Sequence, residues 1–275
     1  MKPHSFEYLR PASIEETVAC LARHGEDARI IAGGLSLVAM MNFRLVETKF
    51  LVDVANIKAL NYIRVDADHI EVGAATTQAQ LLAWPELASL SPLLAKGMPF
   101  IGHFQTRARG TVGGSIAHSD PSSELPLCLI TLGGSVMLRS KAGSREVTAE
   151  DFQVGLMQTS RRPDEMVVAV RFPIRKKGAG YSFLEMAMRK GDLAICAVAA
   201  EVRDGSIRLG VGGVADKPAV REWKDLGDAA LDDALNEFAW DLGGSDDVHA
   251  TATFRRQLIR RLGRRAILEA RECRN

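Results

Sequence analysis

The stretch Arg29-Ile30-Ile31-Ala32-Gly33-Gly34-Leu35-Ser36-Leu37-Val38-Ala39-Met40-Met41 changes its local habit twice. Residues 29–32 form an apolar run of strand type, Gly33-Gly34 stop it, and residues 36–41 resume at helical spacing. A strand, a glycine turn and a helix in this order leave the backbone of the turn bare. Glycine lets that backbone approach a ligand and aim successive N–H groups at it, a concavity suited to phosphate oxygens.

A second segment carries the same signature. Arg109-Gly110-Thr111-Val112-Gly113-Gly114-Ser115 again gathers small residues and is read, like the first, as lying where a strand ends. Ser36, Thr111 and Ser115 add hydroxyl donors. Two such nests in one chain can share a pyrophosphate, the group a dinucleotide cofactor presents. Taken singly, each glycine pair reads better as a structural turn.

Around these motifs the pattern alternates between helix and strand. Ser13-Ile14-Glu15-Glu16 is a capping box opening a short helix that Gly25 closes. Residues 50–53 read as a strand, 62–65 and 69–73 as a hairpin, 77–80 as a capped helix start, and 86–96 as one helix. Strand patterns follow at 136–139, 166–172, 181–188, 194–202 and 207–214, the last two bracketing the turn signal Asp204-Gly205. Beyond residue 224 the pattern turns helical and charge segregates. Residues 225–247 carry eight acids and no Lys or Arg, whereas 248–275 carry eight Arg against two Glu. This predicts two helices with complementary faces, and the Arg-rich segment, with Arg260 and Arg261, doubles as an expected docking surface. The charged gap Arg175-Lys176-Lys177-Gly178 marks the expected domain boundary, giving domains 1–175 and 176–275.

Composition narrows the function classes. The 275 residues include 35 Lys+Arg against 34 Asp+Glu, and 47% are hydrophobic, an ordinary globular balance with one or two cores. Net charge +1 gives no general attraction to nucleic acid or an anionic membrane, and no apolar run approaches a membrane span. Cys20, Cys128, Cys196 and Cys273 are too scattered for a zinc or iron–sulfur motif, so no metal is expected. Sparse cysteine and an opening without an apolar core read as a reduced, cytoplasmic protein.

Familiar motifs fail on spacing. No Lys follows either glycine pair as a phosphate-binding P-loop requires. Gly210-Val211-Gly212-Gly213-Val214-Ala215 fits G-x-G-x-x-A, but Pro218 comes too soon for the helix a nicotinamide fingerprint must open. The run from Ser115 to Glu124 holds His118, Asp120 and several hydroxyls, yet lacks the G-x-S-x-G elbow of a hydrolase. Capping, turn chemistry around Pro121, or hydrogen bonds to a ligand explain it better.

Jointly, AGGLSLVAMMNFRL (32–45) and IGHFQTRARGTVGGSIAHSDPSSELP (101–126) are specific. They resemble the FAD-binding medium subunit of the molybdenum hydroxylases, which include carbon monoxide dehydrogenase and the flavin domain of xanthine dehydrogenase. The resemblance extends to the opening F-x-Y-x-R-P (Phe6, Tyr8, Arg10, Pro11) and to R-K-G-D at 189–192, and so covers nearly the whole chain. It implies an α+β protein: a PCMH-type FAD-binding fold of two α/β subdomains, then a small C-terminal domain of antiparallel sheet plus helices. Position by position, Ile30, Ile31, Ala32, Gly33, Gly34, Leu35, Ser36 and Leu37 would line the diphosphate and ribityl chain. Gly110, Thr111, Val112, Gly113, Gly114 and Ser115 would complete the phosphate nest. Ile101 would make an apolar contact, Glu124 would bond a ribose or ribityl hydroxyl, and Val167 would add a backbone contact. Gly102, Thr106 and Asp120 would be neighbours. Three positions depart from the family pattern: Leu35, where relatives place Gln, His or Thr; Leu184-Glu185-Met186, where they carry a base; and Leu193, where they have Tyr or Phe.

The implied function is that of the flavoprotein in a heterotrimer. Substrate is oxidised at a molybdopterin centre on a large subunit, and electrons pass through [2Fe-2S] clusters on a small subunit to FAD here. The external acceptor would be NAD, a quinone or dioxygen, and no catalytic acid or base is expected in this chain. Two other readings stand beside it: a free-standing FAD oxidoreductase of the same fold, and an assembly factor that has lost the cofactor.

Overall fold

The computed structural model of the chain describes residues 2–274. Its first unit comprises β1 (Glu7–Leu9), α1 (Ile14–His24), β2 (Ala28–Ile31), α2 (Leu37–Asn42) and β3 (Phe50–Asp53). Both β1 and β2 pair in parallel with β3, in the order β1-β3-β2. The Ser13 side chain accepts from the Glu16 N–H, and Gly25 ends α1 with φ 53°. The Glu16 carboxylate answers one residue earlier than a capping box prescribes, accepting from the Ala12 N–H at 2.8 Å.

The second unit runs through β4 (Ile63–Val65), β5 (His69–Gly73), α3 (Gln78–Leu82), α4 (Leu87–Leu90), α5 (Pro92–Gly97), α6 (Phe104–Arg109), α7 (Val112–His118) and α8 (Glu124–Leu132). It continues as β6 (Ser135–Ser140), β7 (Gly143–Thr148), α9 (Ala149–Phe152), β8 (Gln153–Gly155), β9 (Gln158–Thr159) and β10 (Met166–Pro173). The five-stranded sheet, ordered β4-β5-β10-β6-β7, is antiparallel throughout, unlike the parallel first sheet. Every residue of α8 is buried. Two sequence expectations change here. Residues 86–96 form two helices, because Pro92 has no N–H to continue α4 and starts α5 at its N-terminus instead. The second glycine motif follows a helix, α6, and opens another, α7; only an isolated bridge between Thr77 and Thr111 gives it strand character.

The third unit is a meander of β11 (Gly180–Met186), β12 (Cys196–Arg203), β13 (Ser206–Gly212) and β14 (Ala219–Lys224), backed by α10 (Asp228–Leu242) and α11 (Ala252–Glu272). The side chains of β12 alternate between two cores. Ala197 and Ala199 join the core of the first two units, and Cys196, Val198, Ala200 and Val202 join one with α10 and α11. The nicotinamide-like glycines lie in β13, which leads into a strand. A Cβ on Gly210 would overlap the Thr131 hydroxyl of α8, so this glycine serves close sheet–helix packing. Arg264 pairs with Asp232 at 2.8 Å and Arg271 with Asp225 at 2.9 Å, joining α11 to α10 and to the segment before it. Arg260 donates to the Asn236 side chain at 2.7 Å. Much of the basic face expected to dock a partner is thus engaged within the chain.

Candidate cofactor site

The three units meet around a cavity of about 560 Å³. Both glycine motifs line it, and they touch because position 33 has no side chain. A Cβ on Gly33 would overlap the Arg109 carbonyl oxygen and lie 2.9 Å from its carbon. Gly34, with φ 76°, then turns the chain into α2.

The two motifs differ in what their backbones offer. Among the described residues, the N–H groups of Gly33, Gly34, Leu35, Ser36 and Leu37 have no acceptor within the chain. In the second motif the Val112 N–H donates to Thr76 O at 2.9 Å and that of Gly113 to Ala74 O at 3.0 Å. The Gly114 N–H donates to Thr111 Oγ1 at 3.0 Å, and that of Ser115 to Thr111 O at 3.0 Å. The N–H groups of Val112 to Ser115 in the expected second phosphate nest are therefore already engaged within the chain. The carbonyls of Ala74 and Thr76 take the first two and Thr111 the next two, leaving the hydroxyls of Thr111 and Ser115 toward the cavity they line.

Every residue expected at the site lines the cavity except Val112 and Asp120. The Val112 side chain is fully buried in the core. Asp120 turns inward, and its Oδ1 accepts from the Ser122 N–H at 2.8 Å, the turn chemistry that Pro121 demands. Glu124, 6% exposed, stands on the wall. Burial, with help from Asp120, pushes its carboxyl up to about 7 against its own backbone N–H and Arg107. Burial and the charge of Glu124 push Glu185 up to about 8.

Several lining residues carried no readable local signal. The tip of the β8–β9 hairpin brings in Met157, which has φ 52°, and the following loop brings in Arg161. Burial and nearby Arg29, also on the wall, lower the pKa of Arg161. Gly191, Asp192 and Leu193 arrive from the β11–β12 connection. Gly191 has φ 90°, and a Cβ there would meet the His103 ring at 2.8 Å. The R-K-G-D quartet was the available clue to this loop. Gln78 and His118 complete the polar lining, and the Gln78 Oε1 is buried without a partner.

Residues 4–175 match the family model of the FAD binding domain in molybdopterin dehydrogenase. The chain belongs to this family. It is 36% identical to the nicotine 6-hydroxylase medium subunit of Paenarthrobacter nicotinovorans, over 98% of this chain and 99% of that one. Identity with the carbon monoxide dehydrogenase medium chain of Afipia carboxidovorans is 35%, over 88% of this chain and 85% of that one. A solved carbon monoxide dehydrogenase from Hydrogenophaga pseudoflava, lacking the Mo-pyranopterin moiety of its cofactor, superposes with a TM-score of 0.95 at 29% identity, covering 100% of both chains. The FAD-binding medium subunit described here is thus part of an oxidoreductase of the molybdenum hydroxylase type, with FAD as its cofactor. Five free consecutive amides, two cationic walls at Arg29 and Arg161, and a glycine contact that leaves no room for a side chain all suit a diphosphate-bearing cofactor.

Proposed function

We propose that the subunit holds FAD in this cavity, with Gly33 to Leu37 binding the diphosphate through backbone N–H groups. The unpartnered amides of that motif, facing Arg109 and Gly110 across a contact only glycine permits, carry the reading. Thr111 and Ser115 offer hydroxyls, Ile101 and Val167 an apolar wall, and Glu124 a carboxyl for a ribityl or ribose hydroxyl. When bound, FAD supplies the redox chemistry, matching one-electron arrivals to two-electron delivery. The chain's own residues position it, exclude water and hold a proton at the Glu124 carboxyl.

The partners are a molybdopterin-bearing large subunit and a small subunit with [2Fe-2S] clusters, from which electrons reach this site and leave to an external acceptor. Two relatives of nearly equal identity are named for nicotine and for carbon monoxide, so the substrate is chosen elsewhere in the complex. We take residues 1–175 and 176–275 as the two domains, a division supported by the family match over residues 4–175. Four unbridged cysteines favour a cytoplasmic setting; no described helix is long and apolar enough to cross a membrane.

The test is the visible spectrum of the purified chain, with identification of the chromophore released by boiling. Flavin bands and released FAD are the expected result. A folded, colourless chain that takes up no added FAD overturns the site, and flavin reduction by an organic substrate without partner subunits overturns the division of labour.

A further inference from the structure

The side chains of β11 alternate between two faces. Gly180 and Ser182 face α11: a Cβ on Gly180 would overlap the Ala270 carbonyl oxygen, and the Ser182 hydroxyl donates to the Glu269 carboxylate at 2.7 Å. Tyr181 and Phe183 point the other way, into the core of the first two units, and Glu185 shares their face.

This face brings Glu185 to Glu124. A Cβ on Gly97 of α5 would lie 3.0 Å from the Cys128 sulfur and 3.2 Å from the Phe183 ring, so Cys128 of α8 and Phe183 of β11 are neighbours. Gly210 of β13 packs on Thr131, and Gly212 on Leu127 and Pro121, so α8 runs antiparallel to β13 and, through two antiparallel pairings, to β11. One helical turn back from Cys128 stands Glu124, about 6 Å along the axis; one same-face step on from Phe183 stands Glu185, about 6.6 Å along the strand. Both steps go the same way and set the two carboxyls side by side at the cavity wall.

Among the described residues neither carboxyl forms an ion pair. The Glu185 Oε2 is buried without a hydrogen-bond partner, and Glu124, 6% exposed, bonds to its own backbone N–H. Asp120 adds negative charge beside Glu124, while the Arg107 guanidinium that attracts it donates to the carbonyls of Ile101 and Gly102 at 2.6 and 2.9 Å. The other titratable side chains on the cavity wall are Arg29, His118, Arg161 and Asp192. Around Glu185, α5 carries only Lys96, which is exposed, and β12 sets Ala197 opposite, next to the buried Cys196. Helix α11 packs on the opposite face, its Arg255 donating to the carbonyls of Ile195 and Gly213. Two adjacent carboxyls so placed resist ionising together, and a diphosphate in the same cavity raises the cost of doing so. Burial, with Asp120, raises the pKa of Glu124, and burial, with Glu124, raises that of Glu185, the direction such crowding demands.

We infer that Glu124 and Glu185 are a proton-sharing pair: Glu185, outside the cavity lining, is a positioning residue that keeps a proton on Glu124, so that Glu124 meets FAD as a hydroxyl donor and FAD binding above neutral pH draws a proton from solvent. The inference rests on the flavin reading of the cavity.

The test is FAD titration of the cofactor-free full chain between pH 5 and 9, followed by quenching of flavin fluorescence. In the unsubstituted chain affinity should hold at low pH, then weaken toward about tenfold per pH unit once the pair loses its last proton. Glu185→Gln removes the charge that holds this proton, so the same weakening should begin about one pH unit lower. Glu124→Gln carries a permanent donor and should flatten the profile. Calorimetry of the unsubstituted chain at pH 9, in two buffers of different ionisation enthalpy, should report about one proton taken up per FAD bound. A flat profile, no proton uptake, a Glu185→Gln onset that does not move down, weakening by Glu185→Gln that is equal at every pH, or a slope that survives Glu124→Gln overturns the inference while the flavin reading stands. Failure of the unsubstituted chain to bind FAD at any pH overturns both.

Discussion

The two glycine motifs use nearly the same letters for different physical ends. At Gly33-Gly34 a parallel strand stops and the chain turns before α2, so the intervening residues line a cavity with N–H groups that have no acceptor within the chain. At Gly113-Gly114 the chain is already inside α7, packed against Ala74, and its N–H groups are satisfied by Ala74, Thr76 and Thr111. The first pair is small so that a ligand can come close. The second is small so that the protein can. A Gly-Gly pair therefore signals a close approach without saying what approaches.

The sharpest break in this comparison is Gly33→Val. Its side chain would push the Arg109 carbonyl away and part the two motifs, and overpacking against backbone costs roughly 1–3 kcal/mol or more. We expect near-complete loss of bound flavin together with a lower melting temperature, read as flavin absorbance per protein and by thermal unfolding. Gly113→Ala tests the other side. Its methyl would lie 2.5 Å from the Ala74 Cβ and 2.6 Å from its Cα, atoms with little freedom to move. Stability should fall by about 1–3 kcal/mol while the folded fraction keeps its FAD affinity. Loss of affinity at unchanged stability would instead make the second motif a ligand contact like the first.

Glu124 joins the two regions by pH. Its folded carboxyl is raised to about 7 from an ordinary 4.5, so folding favours the protonated form. Stability from this group is full below about pH 4.5 and is lost as pH rises through 7, a change on the order of 2–3 kcal/mol. Glu185, raised to about 8, extends the slope in the same direction. Chemical denaturation of the cofactor-free chain between pH 5 and 9 should show the decline, and Glu124→Gln should remove its lower part. A flat profile in the unsubstituted chain would contradict the burial argument.

The smallest effect belongs to Gly114→Ala. The added methyl crowds the Thr111 hydroxyl, at 2.8 Å, whose side chain rotates, and meets the Ala32 Cβ at an ordinary 3.8 Å. Giving up the hydroxyl's bond to the Gly114 N–H costs about 1 kcal/mol of helix capping, with no change in flavin content. Equal damage from Gly114→Ala and Gly113→Ala would show that the motif is sensitive to any side chain, rather than to contact with Ala74.

Much of this was legible in the letters. Ser13, Thr77 and Gly25 announced helix ends because capping bonds join residues a few positions apart, and the Asp204-Gly205 turn announced its hairpin for the same reason. Pro92 was equally local, and the single helix expected over 86–96 overlooked it. β1, β7 and β14, by contrast, were not anticipated: Glu7–Leu9 is too short to show a period, and Ala219–Lys224 is a half-exposed edge that needs little apolar surface.

By itself the sequence determined the helix caps, the strand periods, the pair of glycine motifs and, through those motifs, the family. Each of these depends on bonds or contacts that repeat within a few residues. Only the tertiary structure decided which motif keeps its amides free, because the acceptors that satisfy the second, Ala74 and Thr76, arrive from a segment more than thirty residues upstream. It also decided that Arg161, Met157 and Gly191 reach the cavity, and that Glu124 stands close enough to Glu185 to raise its pKa. Proximity between distant segments is set by packing of the three units, and no local pattern encodes it.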